Sequence, residues 1–70
     1  LQAQYNLILQ RLIGARVGAG LNQLEVSMRM GMSHSFLSKC ETGERSIDVI
    51  ELLQLVEIYG RSVLFFLVLE

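Results

Sequence analysis

The chain has no proline and no tryptophan, and only one cysteine, one histidine and six glycines among its 70 residues. Without proline, no segment carries a built-in kink or a missing amide donor, which favours an all-helical chain. One cysteine excludes an internal disulfide, and with one histidine it cannot make a four-ligand structural zinc site. The lone His34 has no nucleophile beside a base and an orienting acid. No carboxylate pair suits a cleft, and no glycine-rich loop could cradle phosphate. Neither an enzyme nor a metal or cofactor site is expected. The longest apolar run, Val63 to Leu69, is seven residues, far short of the ~20 needed to span a bilayer. With no charged leader ahead of the domain, a reduced, cytoplasmic, non-membrane protein is expected. The start at Leu1 rather than Met is what a piece of a longer chain would show.

What is present is apolar. Residues of that kind make up 51% of the chain, enough for a core and against disorder. The length fits one domain, residues 1–70, of modest stability. No repeat, low-complexity tract or linker divides it. Net charge is −1, unevenly spread: residues 1–30 carry +2, residues 31–46 balance, and residues 47–70 carry −3. The acidic excess therefore lies in the C-terminal third, and nonspecific attraction to phosphate is expected to be weak.

A first helix is predicted from about Gln2 to Val17. Leu1, Tyr5, Ile8, Leu9, Leu12 and Ala15 share one broad face at helical spacing. Arg16 falls on that same face, an expensive place for a charge without a partner. Gly18 and Gly20 end the segment. Asn22 is a good N-cap for a second helix, Gln23 to Met30, with Val26, Ser27 and Met30 inward. Glu25 and Arg29 are spaced for an outer ion pair worth ~0.2–0.5 kcal/mol. Leu24 and Met28 form a second apolar pair, placed either against a neighbouring helix or for exposure to a partner.

Gly31 allows a sharp turn, and Ser33 is expected to cap a third helix from about His34 to Thr42. Phe36, Leu37 and Cys40 take its inner side, Cys40 as a plain core thiol. His34, Ser35, Ser38, Lys39 and Thr42 take the outer side; all can hydrogen-bond and none is acidic. A helix facing plain water would mix Glu with Lys, whereas this surface suits base edges and phosphates. Gly43 stops the helix. Asp48 and Glu51 form a capping box for a fourth helix, with Ile47 and Leu52 as its hydrophobic staple. Val49, Leu52, Leu53, Val56 and Tyr59 are predicted as its core face, with Gly60 at its end. For residues 62–70 periodicity cannot separate helix from strand. Ser62 as a cap and the helical context favour a short fifth helix. This segment is read as an apolar C-terminal helix or a dimerisation segment. The expected fold is a compact all-α bundle of four to five short helices.

Gly20-Leu21-Asn22-Gln23, Glu25-Val26, Gly31, Ser33, Glu41-Thr42-Gly43 and the capped fourth helix together resemble the phage repressor and Cro-like helix-turn-helix family. Counting from Gln23, a small residue stands at position five (Ser27) and glycine at nine (Gly31). Val26, Met30, Met32, Leu37 and Cys40 supply apolar positions four, eight, ten, fifteen and eighteen. The resemblance covers about residues 9–60. It implies that His34, Ser35, Ser38 and Lys39 read bases and that Gln23 bonds phosphate. It further implies that Arg16 and Glu41 form a buried ion pair, which would explain the charge on the first helix's apolar face. Asn22, Thr42 and Arg45 are expected as further phosphate contacts. Two positions depart from the pattern: Glu44 enters a loop that is often basic, and Ser38 is short.

The implied function is sequence-specific transcriptional regulation, with double-stranded DNA as partner. A homodimer, joined through the apolar C-terminal segment and the first helix, would bind a pseudo-palindromic operator. The alternative is a protein-interaction module on the same scaffold, an antitoxin or a dimerising adaptor.

Overall fold

The computed structural model describes residues 2–67. Leu1 of the first apolar stripe, and Val68 and Leu69 of the tail, lie outside the described residues. Five helices follow one another: α1 (Gln2–Gly18), α2 (Gln23–Arg29), α3 (Phe36–Glu41), α4 (Val49–Tyr59) and α5 (Leu64–Leu67). Among the described residues the fold is all-helical. α1 packs against α3, α4 and α5, while α2 packs against α3.

Local chemistry explains most of the boundaries. The Asn22 side chain accepts the Glu25 amide at 2.8 Å, and Glu25 Oε1 accepts the Asn22 amide at 3.1 Å. That reciprocal box satisfies two otherwise orphaned donors at the start of α2. It also turns the Glu25 carboxylate back on the cap, instead of toward Arg29 as its spacing suggested. Asp48 and Glu51 repeat the device at α4, at 2.7 and 3.1 Å. Gly60 ends α4 at φ 69°, the left-handed region where a residue with a Cβ is strained. The Arg61 amide then closes the end on the Val56 carbonyl at 3.1 Å.

The core gathers Leu12 and Ala15 from α1, Val26 from α2, Phe36, Leu37 and Cys40 from α3, Leu55, Val56 and Tyr59 from α4, and Phe66 from α5. α4 keeps Val56 and Tyr59 of its expected face in the core, with Leu52 packed against it, but is turned away from the rest of that face. Val49 and Leu53 are 66% and 49% exposed, whereas Leu55 is fully buried. The segment VIELLQLVEIY is apolar almost all round, so apolar spacing alone could not orient it. Its inward face runs from Glu51 through Leu55 to Tyr59, at i, i+4 and i+8. Among the described residues the buried Tyr59 hydroxyl has no hydrogen-bond partner, and burial pushes its pKa up.

The described part of the tail, residues 62–67, forms a helical turn. Ser62 Oγ accepts the Leu64 amide at 3.2 Å, and the Phe66 amide reaches the Val63 carbonyl at 3.0 Å. Phe66 enters the core while Leu64 and Phe65 stay exposed. Among the described residues the tail thus gives the core Phe66 and leaves Leu64 and Phe65 on the surface. Leu24 and Met28 on α2 are exposed as well, so among the described residues no helix covers that pair.

Candidate nucleic-acid interface

The α2–turn–α3 unit is built around Gly31, at φ 67°. A Cβ added there would meet nothing within 4 Å, so the demand for glycine is conformational and not one of space. The Met32 amide closes the turn on the Ser27 carbonyl at 3.0 Å. α3 begins at Phe36, two residues later than expected, because His34 and Ser35 form a turn before it. Ser33 does not cap it with its side chain; its carbonyl instead accepts the Phe36 amide at 3.0 Å. Ser35 holds the N-cap position without a side-chain bond.

The cap comes from the preceding helix. Ser27 is fully buried, and its Oγ accepts the Leu37 amide at 3.1 Å. One hydroxyl therefore satisfies an orphaned donor of α3 and sets how α3 leaves the turn. Ser27→Ala keeps the helix propensity of α2 but strands that amide, and an expected loss of about 1–3 kcal/mol follows. A urea titration measures it. A loss below about 0.5 kcal/mol would mean that the amide finds another partner.

The far end of α3 is tied to α1. Arg16 Nε and Nη2 donate to Glu41 at 2.7 and 3.1 Å, and Nη1 donates to the Leu21 carbonyl at 2.9 Å. Gln23 Nε2 adds a further bond to Glu41 at 2.8 Å. The two charged side chains are only 14% and 7% exposed. The bond to Glu41 raises the Arg16 pKa, against the opposing effect of burial. Gln23, assigned to phosphate by resemblance, thus spends one Nε2 hydrogen on the ion pair and keeps the other.

With both ends held, His34, Ser35, Lys39 and Thr42 are exposed on α3 and its flanks, and Ser38 is half-buried. The Ser38 hydroxyl donates to the Ser35 carbonyl at 3.0 Å, and the Thr42 hydroxyl to the Lys39 carbonyl at 3.1 Å. Both hydroxyls therefore present acceptor lone pairs outward. Asn22 is exposed at the start of α2, its Oδ1 committed to the cap and its amino group uncommitted.

Arg45, expected as a phosphate contact, is engaged within the chain. Its guanidinium grips Glu51 in a bidentate pair at 2.8 and 2.9 Å, donates to the Ser46 carbonyl at 2.9 Å, and lies 4.7 Å from the Phe36 ring centre. Hydrogen bonding to Glu51 raises the Arg45 pKa and lowers that of Glu51. With its folded pKa depressed, Glu51 contributes stability above the ordinary glutamate range and loses it as acid protonates the pair. The pairing was missed from sequence. Glu51 precedes Leu55 and Tyr59 by one and two turns, and a carboxylate on an apolar stripe calls for a cation as Arg16 called for an acid.

Two other arginines are engaged: Arg61 stacks over Phe65 at 4.7 Å, and Arg11 reaches the Phe65 carbonyl at 3.4 Å, whereas Arg29 at the end of α2 is exposed. Among the described residues Lys39 is the unpaired cation on the α3 surface. Burial pushes the Cys40 thiol pKa up, which keeps it in the unreactive protonated form. Among the described residues no cluster of His, Cys, Asp or Glu could hold a metal, and no helix is long and apolar enough to cross a membrane.

A short helix held by its neighbours, with a non-acidic polar face outward, defines a helix-turn-helix domain of the kind found in DNA-binding transcription regulators. The helix-turn-helix family model HTH_3 matches residues 12–66, and the chain belongs to that family. Among solved structures it is similar to an XRE-family like protein from Pseudomonas syringae pv. tomato str. DC3000, at 39% identity and a TM-score of 0.82. That alignment covers 87% of this chain and 74% of the other. No curated protein sequence matches the chain.

Proposed function

We propose that this domain is a cytoplasmic, sequence-specific regulator of transcription that binds a pseudo-palindromic operator as a homodimer, with α3 in the major groove. The observation that carries the reading is the outer surface of α3 and of the turn before it, where His34, Ser35, Ser38 and Lys39 are polar and free of acid. In this reading those four contact base edges. Lys39 donates to guanine or phosphate, and Ser38 accepts from an amino group of adenine or cytosine. Asn22, Gln23 and Thr42 orient the domain on phosphates together with exposed helix-terminal amides. Two copies of α3 would lie ~34 Å apart in successive grooves, joined through Leu64, Phe65 and the neighbouring α1 surface.

The scarcity of unpaired cations shapes the expected behaviour. With Lys39 as the main unpaired cation on the α3 face, a dimer neutralises few phosphates. Its affinity should fall with salt at a log–log slope of only about −2, where phosphate-rich interfaces reach about −10. Lys39→Ala should weaken binding to a site selected from random DNA by roughly tenfold or more and flatten that slope. If Lys39→Ala and Ser35→Ala both left affinity unchanged in a titration, α3 would not be the reading helix.

A second reading, a protein-interaction module such as an antitoxin or dimerising adaptor, draws on the exposed Leu24, Met28, Val49, Ile50 and Leu53. It predicts binding of a protein partner and no salt-dependent binding of DNA.

A further inference from the structure

The Arg45–Glu51 pair sits against the proposed reading helix. The Arg45 amide donates to the Lys39 carbonyl at 3.1 Å, so the loop that carries the guanidinium is fastened to the same turn of α3 that carries Lys39. The pair is asymmetric: the Arg45 side chain is 40% exposed, whereas Glu51 is 11% exposed beneath it. Both Nη1 hydrogens and one on Nη2 are taken by Glu51 and Ser46, and the Phe36 ring covers one guanidinium face. A cation thus stands at the edge of the DNA-facing surface with its charge cancelled from below.

Resting on the DNA-binding reading above, we infer that Glu51 holds Arg45 back from the phosphate backbone and so limits the electrostatic share of DNA affinity. The physical basis is counterion release. An arginine whose charge is matched by its own carboxylate displaces no net counterion when DNA arrives, because the pair is neutral as a unit. Leaving Glu51 for a phosphate would also strand a nearly buried carboxylate, which opposes the exchange. Glu51 is a positioning residue in this account, acting on DNA through Arg45. Loss of its negative charge turns Arg45 into a phosphate ligand beside Lys39.

Glu51→Gln is the informative variant, because glutamine can still close the box with Asp48 while removing the charge. Wild type, Glu51→Gln and the double variant Arg45→Gln/Glu51→Gln are titrated by fluorescence anisotropy. The probes are a site selected from random DNA with the wild-type protein and a random-sequence duplex; circular dichroism reports folding. Between about 50 and about 200 mM salt, the Glu51→Gln slope should be steeper than wild type by roughly 0.9 per half-site. That is a roughly threefold larger loss of affinity per half-site over the range. The double variant should return to the wild-type slope, since it removes a neutral pair.

An unchanged slope in folded Glu51→Gln overturns the inference while leaving the DNA reading intact. A double variant with a slope shallower than wild type overturns it too, because Arg45 would then already contact phosphate. Should Glu51→Gln not fold, the double variant against wild type still decides. Wild type that binds neither duplex removes the DNA reading and this inference together.

Discussion

Glu41→Ala is expected to lower the stability of the domain by about 3–5 kcal/mol, by removing one partner of a buried ion pair. A domain of this size has roughly 4–10 kcal/mol in total, and each kilocalorie moves the midpoint by about 4–8 °C. The variant should therefore melt at least ~12 °C lower by circular dichroism. The size of the effect follows from what Glu41 holds. Its two oxygens accept from Arg16 twice and from Gln23 once, and Arg16 also reaches the Leu21 carbonyl. Removing the carboxylate leaves a largely buried guanidinium with one protein acceptor and unfastens α3 from α1. Replacing both partners by apolar residues, as in Arg16→Met/Glu41→Leu, should recover much of the loss, because no buried charge is then stranded. A loss below about 1 kcal/mol for Glu41→Ala would identify the pair as no stronger than an exposed salt bridge.

Phe66→Ala should have a comparable effect, about 3–5 kcal/mol, through the lost apolar contacts and the cavity left behind. Leu64→Ala, two residues away and 67% exposed, should stay within about 0.5 kcal/mol. The contrast separates two roles that a single apolar run could conceal. If the tail served only to meet a second copy, Phe66→Ala would leave the unfolding of the isolated chain unchanged and would alter its association alone. Here Phe66 is fully buried and meets Phe65 edge-on at 5.0 Å. Unfolding by urea, followed at two protein concentrations, distinguishes loss of core from loss of partner.

Much of the architecture was legible because its signals are local. Asn22 with Glu25, and Asp48 with Glu51, mark helix starts by a reciprocal bond that needs only four consecutive residues. Gly31 and Gly60 mark places where the chain must take a positive φ. Arg16 was legible by a different argument: a charge on an apolar stripe demands a partner, and the family resemblance supplied Glu41. The same argument was available for Glu51 and was missed, because its place in a capping box already accounted for it. The α3 boundary was misjudged for a related reason. His34 and Ser35 have helix-compatible chemistry, and only the turn closed by Ser33 and Phe36 excludes them from the helix.

By itself, then, the amino-acid order determined four helices, where most of them begin and end, and a polar, non-acidic outer surface on the third, and it left the fifth segment open between helix and strand. It did so because caps, turn glycines and apolar periodicity act over a few residues. Tertiary structure alone decided which side of the nearly all-apolar α4 faces the core, that Ser27 caps the next helix, and that Phe66 enters the core while Leu64 does not. It also decided that Arg45 is matched by Glu51. Each of these depends on groups brought together from different elements, and a hydrogen bond or ion pair of that kind exists only once the helices are packed.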